Sequence, residues 1–230
     1  MMDLVYSCRP FENEELRYSI RSAVKHLDFD SIWLIGGKPD WYKGNFISVE
    51  NVGNKYRSIS NCLRHAVESD KVSNDFVFMN DDFYIMKNIR QIPIVHGGLL
   101  SKRVAEYQEL FTRSTYTTEM SKTLRYLIKS GYPEPLDYDI HVPMHMKKEI
   151  LDKALKSKCQ PRSVYGNIAN VGGEEIKDVK VYRLGPLTER SFDYHNNDFS
   201  MISSQDDSFE ILKRELLENA FATKSEYEKY

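Results

Sequence analysis

Long apolar runs are absent from this 230-residue sequence. No stretch approaches the ~20 consecutive apolar residues that a membrane-spanning helix needs. The chain also opens without the basic and apolar regions of a secretory signal, because Met1-Met2-Asp3 leads directly into the strand-like Leu4-Val5-Tyr6. We therefore expect a cytoplasmic protein with no membrane span.

Cysteine is scarce, and no low-complexity segment divides the chain. The three cysteines, Cys8, Cys62 and Cys159, are an odd number without the spacing of a metal site. We expect thiols that are buried or partly buried in a reducing compartment. Neither an internal repeat nor a Pro/Gly/Ser-rich linker is present, which favours one domain over residues 1–230 with a C-terminal elaboration.

The sequence also has no marked excess of positive or of negative charge. The 32 Lys and Arg residues against 34 Asp and Glu residues give a formal net charge of -2. This balance provides no general attraction to nucleic acid or to an anionic membrane, although a local basic groove leaves nucleic acid open as a substrate. The 41% hydrophobic composition is sufficient for a large core in a chain of this length.

The first half of the chain alternates short apolar runs with amphipathic stretches. Apolar runs indicate buried strands, and apolar residues at helical spacing indicate helices that cover them. The order strand, helix, strand, strand, helix, strand is typical of a parallel sheet with helices on both faces, an α/β fold. The predicted strands span 4–8, 32–35, 46–49 and 76–79, and the predicted helices begin at 13 or 14 and span 59–69.

The second half of the chain is less regular. Its patterns predict helices and two late strands, followed by a charged, tyrosine-rich tail that frays. The predicted helices span about 102–110, 120–130, 147–156 and 209–220, and the predicted strands span 179–182 and 199–202.

Two adjacent carboxylates follow the strand at 76–79, in the sequence Asn80-Asp81-Asp82. Buried carboxylates need a partner that offsets their charge, and ligands of open α/β sheets bind at the carboxyl ends of strands. A divalent cation held by Asp82 or Asp81 would satisfy both conditions and would neutralise a nucleotide diphosphate. The alternative is a simple turn, since Asn and Asp are common turn residues.

Histidine and arginine residues add candidates to this site. His141, between Asp139 and Pro143, is a possible third metal ligand or general base, or else a structural side chain. Arg162 has the planar donor geometry that suits a diphosphate. Arg9 follows the first strand, where a nucleotide is expected. Arg17 is open between phosphate binding and a solvated helix face, and the solvated face is favoured for Arg21.

Three separated segments resemble one known family. They are the helix Glu-Glu-Leu-Arg-Tyr-Ser-Ile-Arg-Ser at 14–22, the strand Ile-Trp-Leu-Ile-Gly-Gly at 32–37 with Pro39-Asp40-Trp41, and the strand that ends in Asn80-Asp81-Asp82. Together they are similar to the Stealth family of capsular sugar-phosphate transferases, which includes N-acetylglucosamine-1-phosphotransferase. The likeness runs from about residue 4 to about residue 165, and His141-Val142-Pro143 and Arg162 match later family elements.

The resemblance implies a GT-A fold, a Rossmann-like, mostly parallel sheet with a metal-assisted donor site. Residues 1–100 would bind a nucleoside-diphosphate sugar and residues 101–230 would form the acceptor side. Mn²⁺ or Mg²⁺ is the implied cofactor, held by Asp82, Asp81 and His141. The donor-binding candidates are Tyr6, Ser7, Arg9, Arg17, Asn80 and Arg162.

The opening motif departs from the family, because residues 5–10 read Val-Tyr-Ser-Cys-Arg-Pro and lack the family's aspartate. We therefore place sugar transfer above sugar-phosphate transfer. The acceptor would be a glycan, a protein hydroxyl or a modified nucleic-acid base. A non-catalytic sugar-binding or scaffold protein with this fold is the alternative of another class. The oligomeric state is not indicated by the sequence.

Overall fold

The structure, a computed structural model, describes residues 2–9, 13–50, 53–111 and 114–229. They form two compact units that interleave along the chain. The first contains residues up to Ile92, His141–His145 and the chain from Val179 onward, and the second contains Pro93–Ile140 and Met146–Asp178. The single domain expected over 1–230 stays a prediction.

The first unit begins with the alternation that the apolar pattern predicts. Strands β1, β2 and β4 have mostly buried residues, as is typical of parallel strands covered on both faces. Pro10, predicted to end the first strand together with Arg9, lies outside the described residues. The elements are β1 (Asp3–Cys8), α1 (Glu14–His26), β2 (Ile32–Gly36), β3 (Asn45–Ser48), α2 (Lys55–Glu68), β4 (Asp75–Asn80) and β5 (Phe83–Ile85).

The second unit is mainly helical, and β7 starts in the first unit and continues into it. Its helix α6 is not among the predictions, although Pro161 occupies the first turn, a position that suits proline. The elements are β6 (Val95–His96), α3 (Leu100–Leu110), α4 (Thr115–Lys129), β7 (Met144–Lys147), α5 (Lys148–Leu155), α6 (Pro161–Ile168) and β8 (Glu174–Glu175).

The central sheet has the strand order β3-β2-β1-β4-β7. Strand β1 pairs in parallel with β2 and β4, and β2 pairs in parallel with β3. The predicted parallel sheet is therefore confirmed. Its register places Ser7 opposite Asn80, so that β1 and β4 end side by side.

Gly36 permits the close approach at the end of β2. Its φ is +120°, and a Cβ there would lie 2.3 Å from the Cys8 carbonyl oxygen. A side chain would be both strained and blocked at this position, so only glycine fits. The last residues of β1 and β2 therefore align, with Cys8 opposite Gly36.

Helix α1 covers the sheet beside the carboxyl end of β4. Asn13 caps it by accepting a hydrogen bond from the Leu16 amide at 3.0 Å, and Leu16 and Ile20 are buried. Ser22 accepts a hydrogen bond from the Ile85 amide at 3.0 Å, which attaches the helix to β5. Both the start of α1 and the turn after β4 are thereby fixed.

The chain after Val179 completes the first unit. Strand β9 (Met201–Ser203) pairs antiparallel with β5, and it is followed by α7 (Phe209–Leu212), a π-helical turn at Lys213–Leu217 and α8 (Glu218–Ala220). The helix predicted over 209–220 is confirmed, with the π turn in its middle. Its apolar side packs in a core cluster with α1 and β5, through Phe209, Leu212, Leu217, Tyr18 and Tyr84.

Two predictions for this region are wrong. The segment 179–182 is not a strand, since it forms only an isolated parallel bridge between Lys180 and Ser203. The tail does not fray up to Lys229: Lys229 donates its amide to the Trp41 carbonyl at 2.8 Å, and Tyr227 stacks on Tyr42. We call residues 225–229, together with the α1 and Trp41-Tyr42 side chains that they contact, the C-terminal clasp.

The three cysteines are buried free thiols. Within the described part of the chain, no helix combines the length and the apolar character that crossing a membrane requires.

Candidate active site

The turn after β4 places Asp81 and Asp82 at the edge of the sheet where β1 also ends. Both side chains are mostly buried, with 14% of the surface of each exposed. Removing a carboxylate from water is costly unless positive charge and hydrogen bonds compensate. The groups around these two residues therefore define the site.

Asp82 is held by a buried ammonium group. The Nζ of Lys180 lies 2.6 Å from Asp82 Oδ2, and the Ser203 hydroxyl donates to the same oxygen at 3.1 Å. Burial acts to raise the pKa of Asp82, but Lys180, His141 and these hydrogen bonds outweigh it and hold the pKa below the usual value. Asp82 is therefore ionised and paired.

Asp81 has weaker support. The Asn13 amide donates to its Oδ2, and the Arg9 guanidinium lies 3.6 Å from the same oxygen. Burial, followed by the neighbouring charge of Asp82, raises the pKa of Asp81 despite these contacts. Since Asn13 also caps α1, one side chain connects the turn after β4 to the start of that helix.

Glu15 is the third carboxyl group near Asp81 and Asp82. Its Oε1 accepts a hydrogen bond from the Ser204 hydroxyl at 2.7 Å, and its Oε2 lies 3.7 Å from Arg9. Burial raises the pKa of Glu15 to about 7, and Asp81 and Asp82 add to the rise. Glu15 therefore exchanges a proton near neutral pH.

These residues, Arg9, Asn13, Glu15, Asp81, Asp82, Lys180, Ser203 and Ser204, are called the β4 cluster below. Its carboxyl groups outnumber its cations, and two of the three have raised pKa values. Groups perturbed in this way by burial and by like charges are typical of functional sites. Arg9 differs from the rest because 58% of its side chain is exposed, so its guanidinium can meet a ligand directly.

The β4 cluster does not fit a divalent cation as the sequence predicted it. Across residues 2–9, 13–50, 53–111 and 114–229, no group of three His, Cys, Asp or Glu residues has the geometry of a metal site. Asp82 Oδ2 already accepts from Lys180, and Asp81 Oδ2 already accepts from Asn13. A metal bound through Asp82 Oδ2 would have to displace the Lys180 ammonium.

His141, the predicted third ligand, lies near the cluster. Its ring meets the Phe83 ring edge-on, with centroids 6.5 Å apart, and it is among the groups that lower the pKa of Asp82. The structure thus brings together His141 and Asp82, which are distant in the sequence. Whether His141 serves as ligand or base stays a prediction.

Tyr6, Ser7 and Asn80 lie on the strands that end at the site. Tyr6 is fully buried, and its hydroxyl is 3.2 Å from the Ser19 hydroxyl. Ser7 is half-buried and hydrogen-bonded to Cys62. The Asn80 carbonyl accepts from Ser19 at 3.5 Å. Their predicted contact with a donor stays a prediction.

The remaining arginines have structural partners. Arg17 lies 3.4 Å from the Glu228 carboxylate and over the Trp41 ring, in the C-terminal clasp. The solvated face predicted for Arg21 is wrong, since only 10% of its side chain is exposed and it pairs with Glu228 at 2.7 Å.

Within the second unit, Arg162 is buried. Desolvation lowers its pKa, while the negative charges of Asp139, Asp178 and Asp137 act to raise it. Its predicted role at a diphosphate stays a prediction.

Lys180 and Ser203 are functional candidates that the sequence reasoning missed. Lys180 stands between Val179 and Val181, and all three are buried. A lysine inside an apolar run is a usable signal, because a buried ammonium requires a carboxylate partner. The sequence does not show which carboxylate is the partner, since Asp82 lies 98 residues from Lys180.

A mainly parallel sheet flanked by helices matches the fold of GT-A glycosyltransferases. A crystal structure of the galactosyltransferase LgtC with donor and acceptor sugar analogues superposes with a TM-score of 0.50 at 10% identity, covering 98% of each chain. The active-site mutant Q189E of LgtC gives 0.49 at 10% identity, again over 98% of each chain. GlyE of Streptococcus pneumoniae gives 0.37 at 7% identity, over 76% of this chain and 44% of the other.

The comparison with LgtC confirms the predicted fold class. At 10% identity it shows the fold and not the activity. No known sequence-family profile and no curated protein matches the chain. The resemblance to the Stealth family is therefore not supported.

Proposed function

We propose that this chain is a glycosyltransferase that moves a sugar from a nucleoside-diphosphate sugar to a hydroxyl acceptor. The observation that carries the proposal is the β4 cluster, in which buried carboxyl groups, a buried lysine and an exposed arginine meet where two adjacent parallel strands end. Ligands of open α/β sheets bind at this edge. The LgtC structure, which contains donor and acceptor sugar analogues, has the same fold and supports a sugar-transfer reaction.

In this reaction the bond between the sugar C1 and the diphosphate oxygen breaks, and its electron pair leaves on that oxygen. The acceptor hydroxyl oxygen bonds to C1 and gives its proton to a base, for which His141 is the candidate. Arg9, with its exposed guanidinium, would hold the phosphates. Asp81 would orient the donor sugar through its carboxyl group, and Asp82 would act through Lys180.

A glycan or protein hydroxyl is the proposed acceptor class, and a nucleic-acid base has no support in the structure. Mn²⁺ or Mg²⁺ commonly assists GT-A enzymes, but the residues of the β4 cluster do not fit such a cation, and no step of the proposed reaction depends on one. If sugar-phosphate transfer occurs instead, the nucleoside monophosphate rather than the diphosphate is released.

The direct test is a thermal-shift screen of UDP-, GDP-, ADP-, CDP- and dTDP-sugars, each with Mn²⁺ and with excess EDTA. A ligand at 100 times its Kd stabilises the folded state by about 2.7 kcal/mol, so a true donor raises Tm measurably. The variant Asp81→Asn should lose the shift, and Asp198→Asn, at an exposed lysine-paired carboxylate, should keep it. No shift with any nucleotide sugar under either condition would reject the proposal.

A further inference from the structure

Lys180 is an unusual residue for its position. It is 7% exposed, between two buried valines, and its backbone is fixed on both sides. The amide of Val181 donates to the Ser203 carbonyl at 2.9 Å, and the Ser203 amide donates to the Val179 carbonyl at 3.1 Å. The Lys180 carbonyl in turn accepts from the Phe192 amide at 3.0 Å. The segment thus directs its ammonium to one place, 2.6 Å from Asp82.

In a metal-dependent site, a divalent cation would lie at this position beside the Asp82 carboxylate. The carboxylate would bind the cation, and the cation would bind the diphosphate. Here the positive charge beside Asp82 comes from the chain itself. A lysine ammonium is a compact point charge, and lysine is a common phosphate-binding residue.

Resting on the glycosyltransferase function proposed above, we propose that the Lys180 ammonium, positioned by Asp82 and Ser203, takes the place of the divalent cation and binds the diphosphate of the donor. Arg9 would bind the same diphosphate from the exposed side. The site still carries more carboxyl groups than cations. Protonation of Glu15, whose pKa is raised by burial, limits that excess as the anionic donor enters.

The simpler role for Lys180 is a structural ion pair with Asp82. The two roles differ in what the ammonium does to a ligand. A structural lysine affects stability and leaves nucleotide affinity unchanged, whereas a diphosphate-binding lysine sets that affinity. A metal-dependent site would differ from both, because removal of the metal by a chelator would abolish nucleotide binding.

The experiment is isothermal titration of UDP, GDP, ADP, CDP and dTDP into the full chain, with excess EDTA or with Mn²⁺. We expect one nucleotide to bind equally well in both. Lys180→Met should weaken that binding about 10–100-fold, as loss of a hydrogen bond to a charged group does. Lys180→Arg should retain most of it, and Lys213→Met, at another lysine 2.7 Å from a glutamate, should bind like the wild type.

Mn²⁺ binding followed by electron paramagnetic resonance gives a second readout that needs no nucleotide. The wild type should leave Mn²⁺ free, because the Lys180 ammonium at Asp82 Oδ2 repels a second cation, and Lys180→Met should bind Mn²⁺ more tightly. Stoichiometric Mn²⁺ binding to the wild type that Asp82→Asn removes would overturn the inference. If Lys180→Met does not fold, the double variant Lys180→Met/Asp82→Asn removes both charges together, and nucleotide affinity equal to the wild type there would also overturn it.

The outcomes separate the two proposals. Nucleotide binding that requires Mn²⁺, or that Lys180→Met leaves unchanged, overturns the role of Lys180 and keeps the transferase. Absence of binding by all five nucleotides in both conditions overturns the transferase, and the role of Lys180 with it.

Discussion

The β4 cluster and the C-terminal clasp are two mostly buried charge clusters of the first unit. Cations outnumber the carboxylate in the clasp, whereas carboxyl groups outnumber cations in the β4 cluster. In the clasp, one carboxylate, Glu228, meets two guanidiniums, those of Arg21 and Arg17, at 2.7 and 3.4 Å. Ser225 adds hydrogen bonds from its amide and its hydroxyl at 2.8 and 3.1 Å. Although burial acts to raise it, the pKa of Glu228 is lowered by these partners.

In the β4 cluster the balance is reversed. Three carboxyl groups, Glu15, Asp81 and Asp82, share Arg9 and Lys180, and the pKa values of Glu15 and Asp81 are raised. The clasp is complete without a ligand, and it joins the chain end to α1. In the β4 cluster two carboxyl groups have pKa values raised by burial and by like charges, a pattern that is enriched at functional sites.

We expect the largest difference between the two clusters in the loss of stability caused by a substitution of Glu228. Its side chain is fully buried, so Glu228→Gln leaves the Arg21 charge without its partner. Breaking a buried ion pair costs ~3–5 kcal/mol, which lowers the Tm of a chain of this size by about 10 °C. Calorimetry of Glu228→Gln beside Glu226→Gln, an exposed neighbour, measures it. An unchanged Tm would mean that the clasp contributes nothing to stability.

The same pair responds to acid in a defined direction. Because the folded-state pKa of Glu228 is lowered, its contribution to stability is present above the unfolded value near 4.5 and is lost as the pH falls through the folded value. Glu228→Gln should therefore show less loss of stability on acidification than the wild type.

Glu15 should show the opposite dependence. Its pKa rises from 4.5 to about 7 on folding, so the folded state binds more protons than the unfolded state between those values. Stability contributed by Glu15 therefore falls as the pH rises through this window, by up to ~3 kcal/mol. Denaturation of Glu15→Gln should lack this fall, while Glu14→Gln, at a more exposed carboxylate, should retain it. Parallel pH curves for wild type and Glu15→Gln would contradict a raised pKa.

The sheet could be predicted from the sequence because its signals are local. The runs at 4–8, 32–35 and 76–79 are buried strands, and Asn13 before two glutamates marks the start of α1. The acidic turn of the site followed from the same reasoning, since the end of a buried strand is a defined position in a parallel sheet.

The residues that contact that turn lie far from it in the sequence and could not be predicted. Lys180 and Ser203 reach Asp82 over 98 and 121 residues, and no spacing rule connects them. The clasp escaped prediction for a similar reason: Glu228 lies in a charged, tyrosine-rich tail, and its partner Arg21 is 207 residues earlier. The alternating segment 179–182 predicts a strand, but it forms only one isolated bridge, and its Lys180 pairs with Asp82.

The measurement that tests the central claim most directly is product release from nucleotide sugars, followed by mass spectrometry. The β4 cluster as a donor site predicts that the wild type releases a nucleoside diphosphate from one of them. Asp81→Asn should lower that rate by about 10²–10³-fold, the loss typical of one group that stabilises a transition state. Glu228→Gln should keep the rate at temperatures where it is folded. Equal rates in wild type and Asp81→Asn, or no product from any nucleotide sugar, would contradict the account.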